Sequence, residues 1–234
     1  MFKGIEFDGK HSYKDFGLTI SNPDIGIPSK IKNTERVPHS NVEYDFSSIY
    51  GGQEYEERTL TYTFNLAYRE KAEYFYLYEA EALRWLMTPN EKKVLKDDRI
   101  PGYYFLAEVM TSGNEFKFVG GNLTVNFKAY PFMIAELSEG NDIWDEFNFL
   151  LDYAQDTTFD ISGTKEVTLY NPGVSIVYPK IVTTAGMKVT KGTTTYNIST
   201  GTTESYDFFL VPGENKINIS GTGNISFEFY KELI

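Results

Sequence analysis

The sequence predicts a mostly β protein with one main helix, and two residue patterns and one count support that class. From Arg58 to Tyr68 every second residue is apolar and those between are polar, which is the period of a strand with one buried face. From Glu70 to Met87 apolar residues recur at spacings of three and four, which predicts an amphipathic helix that Pro89 ends. The 18 Tyr and 18 Phe favour strands and supply large areas for burial.

Before the helix, short strands are predicted at residues 2–7 and 18–20, with a turn at 15–17 between them. Residues 26–52 are polar and contain two prolines and the pair Gly51-Gly52. A segment of this length between strands is typical of a functional excursion or of an extended hairpin. We predict a hairpin that projects from the body. In the helix that follows, the recurring apolar residues are Ala72, Tyr76, Ala80, Leu83 and Met87, with Phe75, Ala82 and Leu86 beside them.

After the helix, strand patterns return at 103–109, 115–119 and 123–127, and a turn at Gly120-Gly121-Asn122 joins the last two. The alternation stops near Pro131. Residues 133–160 contain aromatic side chains without a sustained period, and we predict a connector that packs on both halves.

The second half, residues 161–234, is predicted to consist of short strands separated by turns rich in Gly, Asn and Pro, which is typical of a β-sandwich. One of these turns is predicted at Ser220–Asn224, so that Gly221-Thr222-Gly223 serves a hairpin and not a phosphate site. A threonine-rich stretch at 193–203 is predicted to be an exposed hairpin or loop. The expected strands lie at 167–169, 175–178, 206–211, 216–219 and 225–229.

Charge and cysteine content limit the possible functions. The formal net charge of −11 repels phosphate backbones, so we expect no stable nucleic-acid binding. The chain has no cysteine, which excludes disulfides, thiolate catalysis and iron–sulfur clusters. The first residues do not have the pattern of a secretory signal, and no apolar run approaches the length of a membrane helix. We therefore expect folding in the cytoplasm and no membrane association.

Residues suited to acid–base or metal chemistry are few and scattered. The two histidines, His11 and His39, stand in separate polar stretches and in no metal-binding or triad motif. Carboxylates cluster at Glu54–Glu57, beside a strand whose edge they are expected to protect, and at Asp97-Asp98, in a loop. The sequence thus predicts no enzyme, no catalytic, cofactor-binding or metal site, and no cofactor.

The surplus aromatic residues permit two interpretations. Tyr44, Tyr50, Tyr55, Tyr103 and Tyr104 could stack on sugars, or they could belong to the core and to subunit contacts, where tyrosine is enriched. We favour the second interpretation. We predict an oligomer interface at Tyr44, Phe46, Tyr50, Tyr55 and Arg58.

The order of several motifs resembles that of a known family. The opening residues 2–12 are followed by Asp15-Phe16-Gly17-Leu18, and the helix ends in Leu83-Arg84-Trp85-Leu86 before Asp97-Asp98. Further motifs are 103–109, 127–131, Trp144–Phe149, Tyr170–Gly173 before Pro179, and 211–223. Across nearly the whole chain this order resembles the distal tail (Dit) proteins of siphophages, the long-tailed, non-contractile bacteriophages, and of related prophages.

The resemblance implies a domain plan and a role. The expected plan is a tail-tube-like β-sandwich at 1–132, with the hairpin at about 26–52 and the helix at about 70–87, then the connector at 133–160 and a galectin-like β-sandwich at 161–234. The expected role is a hexameric ring in the virion tail, as a baseplate hub between the tail tube with its tape measure and the tail tip. Its partners would be further copies of itself, the tail-tube protein, the tail-tip (tail-associated) protein and a receptor-binding protein.

Two other functions remain open at this point. A carbohydrate-binding module of a surface-adhesion protein is compatible with a sandwich-like second half and with spare aromatic residues. A major tail-tube protein would share the first half of the expected fold but would polymerise into long tubes instead of closed rings.

Overall fold

The computed structural model describes residues 3–47, 49, 52–66, 72–110, 117–119, 122–143 and 148–234. The mostly β class is confirmed, since strands are by far the commonest regular element along these residues. They divide into two compact units, one formed mainly by the residues up to Met133 and one mainly by Ile134–Leu233. Parts of the sequence-based predictions lie outside the described residues, namely those on Phe2, Tyr50, Tyr68, 70–71, 115–116, 120–121 and 144–147.

One antiparallel sheet forms the first unit. Its helices are α1 (Ser12–Phe16) and α2 (Ala72–Met87). Its strands are β1 (Ile5–Phe7), β2 (Lys10–His11), β3 (Leu18–Ile25), β4 (Thr34–Arg36), β5 (Glu43–Asp45), β6 (Arg58–Leu66), β7 (Lys93–Asp97), β8 (Tyr103–Val109), β9 (Lys117–Val119) and β10 (Asn122–Ala129). The sheet order is β2-β1-β7-β8-β10-β6-β3 with β9 beside β10, and β4 and β5 form a separate two-stranded sheet.

The main sheet of this unit curls around its own inner face. Phe7 of β1 and Phe127 of β10 are three strands apart, a separation of roughly 14 Å in a flat sheet. Their ring centroids nevertheless lie only 5.1 Å apart. Likewise the Tyr62 hydroxyl of β6 donates a hydrogen bond of 3.1 Å to the Asp97 carboxylate of β7, which is also three strands away. The two facing layers of this unit therefore belong to one sheet.

The buried face of α2 differs from the spacing that predicted the helix. Ala82, Trp85 and Leu86 are buried in the core, whereas Ala80 and Met87 are exposed. The reason is Trp85, whose indole Nε1 donates 2.8 Å to the Phe7 carbonyl. Its ring also stacks on Phe16 at 4.6 Å, so one large side chain sets which face turns inward.

The second unit contains a six-stranded antiparallel sheet and, outside this sheet, two short strands, β11 and β18, that pair with each other. The sheet order is β15-β14-β17-β13-β16, with β12 along the other edge of β17. The strands are β11 (Met133–Ala135), which begins in the first unit, β12 (Thr158–Asn171), β13 (Lys180–Thr183), β14 (Met187–Lys191), β15 (Thr194–Ile198), β16 (Gly201–Thr203), β17 (Gly213–Glu228) and β18 (Glu232–Leu233).

The predicted turn at Ser220–Asn224 is wrong. Strand β17 runs through these residues and pairs with β12 over its length, with Gly221 opposite Gly163. On its other edge β17 pairs first with β14, at 218–220, and then with β13, at 225–228. The two glycines, with φ of 148° and 141°, lie where β17 passes from one partner to the next. They mark a change of partner within a strand instead of a reversal of the chain.

Other strands of the second half also differ from the prediction. Residues 206–211 and 175–178 do not form strands, and a single bridge joins Val177 to Leu210. Strands β12 and β17 are long, although only short strands were expected. The threonine-rich stretch supplies β15, which pairs with β14 in a hairpin whose turn, at residues 192–193, is exposed.

Candidate oligomer interface

The two-stranded sheet β4–β5 forms a hairpin within the segment 26–52. Glu35 pairs with Tyr44, flanked by the pairs Thr34–Asp45 and Arg36–Glu43. Backbone hydrogen bonds extend the ladder at both ends, from Val37 N to Val42 O at 3.0 Å and from Phe46 N to Asn33 O at 2.8 Å. The ladder therefore runs over residues 33–37 and 42–46.

The register of this hairpin gathers its apolar side chains on one face. Because side chains alternate between the faces of a strand, Val37, Val42, Tyr44 and Phe46 share one face with Asn33 and Glu35. Thr34, Arg36, Glu43 and Asp45 share the other. The rings of Tyr44 and Phe46 lie 6.3 Å apart on the first face. We call the set Val42, Tyr44 and Phe46 the apolar hairpin face.

The apolar hairpin face is open to solvent in the single chain. Tyr44 is 57% exposed, and Val42 and Phe46 are exposed as well. Two further large apolar residues on the flanks of the hairpin, Ile27 and Ile49, are also exposed. A two-stranded hairpin is marginally stable by itself, and contiguous exposed apolar surface marks interaction sites. This face is the strongest candidate for an interface in the first unit.

The polar face and the base hold the hairpin in its conformation. Lys32 and Asp45 form an ion pair of 2.7 Å, and hydrogen bonds from Lys32 and from Ser47 hold the pKa of Asp45 well below its usual value. At the base, Ile31 N donates to Glu54 O at 2.9 Å, and Glu56 N donates to Ser29 O at 2.8 Å. The side-chain amide of Gln53 also donates to Ile31 O. The apolar face is therefore carried on an ordered support.

The structure brings some of the predicted interface residues together and separates others. Tyr44 and Phe46 are neighbours on the apolar hairpin face, whereas Tyr50 lies outside the described residues. The Tyr55 ring packs edge-on against Phe132 at 5.3 Å. Arg58 is only 4% exposed, because it opens β6 and stacks its guanidinium over Phe105 at 5.4 Å. Val42 was missed, although its period-two spacing from Tyr44 is visible in the sequence.

The outermost strand of the main sheet is poorly suited to pair with another strand. Strand β3 is the last in the sheet order, and its register against β6 shifts between Ile20 and Asn22. It also contains Pro23, which has no N–H to donate. Irregularities and prolines of this kind protect sheet edges from strand addition. Surface packing on the hairpin is therefore a better route to association than extension of the sheet at β3.

The residues that the sequence marks as suited to acid–base or metal chemistry lie in the first unit, and the histidines among them are in different environments. Buried His11 caps α1, since its Nδ1 accepts from Tyr13 N and Lys14 N at 3.1 and 3.2 Å. Its Nε2 contacts Asp98 at 3.1 Å. His39 lies at the exposed tip of the hairpin, between β4 and β5.

The carboxylate clusters are likewise paired with neighbouring groups. Asp97 ends β7 and binds Arg99, with an Nε–Oδ1 distance of 2.7 Å. Glu57 forms ion pairs with Lys128 and Lys92, and these hydrogen bonds lower its pKa. Along the described ranges, no group of three or more His, Asp or Glu side chains is arranged to hold a metal ion. Within the same residues, none of the helices has the length and apolarity needed to span a membrane.

The whole chain is similar in fold to a phage tail hub protein. That protein is the Dit protein of phage SPP1, whose crystal structure is described as a paradigm of the hub adsorption apparatus in phages that infect Gram-positive bacteria. The TM-score is 0.67 at 11% sequence identity, and the similarity covers 100% of both chains. The resemblance to siphophage distal tail proteins is thus confirmed at the level of the fold.

A second solved structure is similar to a lesser degree. It is the baseplate of phage p2 in its activated conformation with Sr, with a TM-score of 0.40, 9% identity, and coverage of 99% of this chain and 98% of that one. No family model and no curated protein matches the sequence.

Proposed function

We propose that the protein is a structural subunit of a phage tail tip, a hub to which other tail components attach. The observation that carries this proposal is the full-length similarity of fold to the SPP1 hub protein. A structural role also agrees with the way the first unit uses its histidines and carboxylates, which cap a helix and pair with neighbouring basic groups.

The finer parts of the proposal come from the resemblance seen in the sequence. The subunit would form a hexameric ring in the virion tail, assembled in the host cytoplasm, and would act without enzymatic activity. The ring would join the tail tube and tape measure to tail-tip, tail-associated and receptor-binding proteins. In this plan the first domain, 1–132, builds the ring, and the second, a galectin-like domain at 161–234, is carried on it beyond the connector at 133–160.

Within this role, the apolar hairpin face is the proposed contact between copies. Its three side chains have one face of a strand ladder in common and project from an ordered base, so a neighbouring copy could cover them without refolding the hairpin. Burying a large apolar side chain stabilises an association by about 1.5–3 kcal/mol. The irregular β3 edge argues against strand addition at that edge of the main sheet.

Substitution of the apolar hairpin face tests this contact. The double variant Tyr44→Ala/Phe46→Ala should weaken self-association at least about 100-fold. It removes two rings that a neighbouring copy would cover, and the loss of each should lower the association constant by more than a factor of ten. Sedimentation velocity over a series of protein concentrations measures the effect. The control is Tyr153→Ala, a half-exposed tyrosine of the second unit, which should associate like the wild type.

Three results would contradict the proposal. The double variant could associate as strongly as the wild type, which would remove the hairpin from the contact. The wild type could remain a monomer at every concentration. It could also form open filaments in negative-stain images, which would favour a tail-tube protein over a closed hub.

A further inference from the structure

Three aromatic rings form an exposed cluster on the second unit. Tyr206 is 84% exposed, Tyr178 49% and Phe209 37%. The rings of Tyr178 and Tyr206 meet edge-to-face, with centroids 5.0 Å apart and an interplanar angle of 76°. Phe209 lies 6.5 Å from Tyr178, at 69°. We call these residues the aromatic corner, because neighbouring rings stand close to perpendicular.

Hydrogen bonds fix the backbone beneath the aromatic corner. The Tyr196 hydroxyl donates to Asp207 O at 2.9 Å, and the Lys191 ammonium donates to Phe209 O at 2.5 Å. Val177 and Leu210 exchange backbone hydrogen bonds of 3.1 and 2.8 Å. Residues 204–209 are therefore anchored although they form no strand. An anchored loop loses little conformational entropy when a ligand binds to its rings.

The residues of the aromatic corner have charged neighbours of both signs. The Asp207 carboxylate lies next to Tyr206 in sequence and accepts from Ser205 Oγ at 3.3 Å. The Lys191 ammonium stands over the Phe209 ring, 4.8 Å from its centroid. Ligand sites commonly combine apolar or aromatic surface with a few polar groups that fix orientation.

We propose that the aromatic corner binds a saccharide. A pyranose has C–H faces that pack against the electron-rich faces of aromatic rings, and hydroxyls that can donate to a carboxylate such as that of Asp207. Two rings at 76° would contact a sugar unit on two sides. Stacked nucleic-acid bases would also suit aromatic rings, but the net charge of −11 opposes a phosphate backbone.

The size of the aromatic corner suits a small ligand. A fully exposed aromatic side chain offers about 150–250 Å², so the open parts of the three rings provide roughly 300–400 Å². An area of this size can cover a ligand of two or three sugar units. This site belongs to the second unit, whereas the proposed hub contact belongs to the first, and it does not depend on the hub function.

The test begins with the full chain on an array of bacterial cell-surface and neutral oligosaccharides. The strongest binder is then titrated, as a single soluble oligosaccharide, into three proteins by isothermal calorimetry. The wild type should bind, and Tyr206→Ala should bind at least about tenfold more weakly, because a stacking ring is lost. Tyr153→Ala should bind like the wild type, since it removes a half-exposed tyrosine of the same unit that stacks on Tyr170 instead.

Folding does not complicate this test, because the Tyr206 side chain is almost fully exposed and its loss creates no cavity. Absence of binding to every sugar on the array would overturn the proposal. Equal binding by the wild type and Tyr206→Ala would also overturn it. If Tyr206→Ala weakened self-association and no sugar bound, the aromatic corner would be a protein contact. Failure of the hub proposal would appear separately, in the sedimentation of the hairpin variant.

Discussion

At the scale of single residues, polar side chains hold the curled sheet of the first unit together from inside. The Asp97 carboxylate is buried, and it accepts from the Tyr62 hydroxyl and from the Arg99 guanidinium. Burial of the Tyr62 hydroxyl beside this carboxylate raises the pKa of the phenol far above its usual value. The buried carboxylate thus has hydrogen-bonding partners on both sides, as a buried polar group requires.

Asp98 makes the stability of the same unit depend on pH. Burial alone would raise the pKa of Asp98, but the Gly4 N–H at 2.9 Å and the His11 ring outweigh burial and lower it. Because His11 Nδ1 accepts two backbone N–H groups, the ring proton is on Nε2 and points to Asp98. Stability from this carboxylate is present above the unfolded-chain pKa of about 4 and is lost as the pH falls through the lower folded pKa.

Asp98→Asn should therefore change how the free energy of unfolding depends on pH. Between about pH 5 and pH 2 the wild type should lose more stability than the variant, because only the wild type must protonate a carboxylate that folding holds ionised. Urea unfolding at a series of pH values measures both curves. Parallel curves for the two proteins would show that Asp98 does not contribute to the acid sensitivity.

At the scale of elements, the sequence patterns predicted an element well where only one of its two faces is buried. Strand β6 follows the predicted alternation, since Leu60, Tyr62 and Phe64 face the core and the threonines between them do not. The helix α2 was also found, but only part of its buried face, because the position of Trp85 depends on Phe7, 78 residues away. Long-range packing of this kind has no signal in a local period.

The glycines of β17 are a case in which a local pattern predicted the wrong structure. Gly221 and Gly223 were interpreted as a turn, since glycine pairs are enriched in turns. In the structure they allow close approach of neighbouring side chains, and a Cβ on Gly223 would lie 2.6 Å from the Thr184 Oγ1. The sequence alone does not distinguish these two reasons for glycine.

Gly223→Ala should destabilise the protein by about 2–4 kcal/mol, because a backbone conformation rare for side-chain-bearing residues is combined with a steric clash. Gly163→Ala is the matched control. It also has a positive φ, of 89°, but open space around the added methyl, so it should cost about 1–2 kcal/mol. Urea denaturation of both variants measures the difference. A smaller loss for Gly223→Ala than for Gly163→Ala would contradict this account of β17.

At the scale of the whole molecule, the sequence predicted the class of the fold, but it did not predict the surroundings of every proposed interface residue. Tyr44 and Phe46 could be chosen because they are aromatic, spaced by two, and set in a polar segment. The burial of Arg58 could not be foreseen, because it depends on Phe105 in a strand that is distant in sequence. The aromatic corner combines Tyr178, Tyr206 and Phe209 from two separate segments, and no local pattern joins them.

The central claim is that copies of this chain close into a hub ring, and native mass spectrometry of the purified protein at high concentration tests it most directly. We predict a dominant species at about six times the 26.8 kDa mass of the chain, which falls apart when Tyr44 and Phe46 are both alanine. A spectrum containing only single chains, or a ladder of masses without a preferred closed number, would contradict the claim.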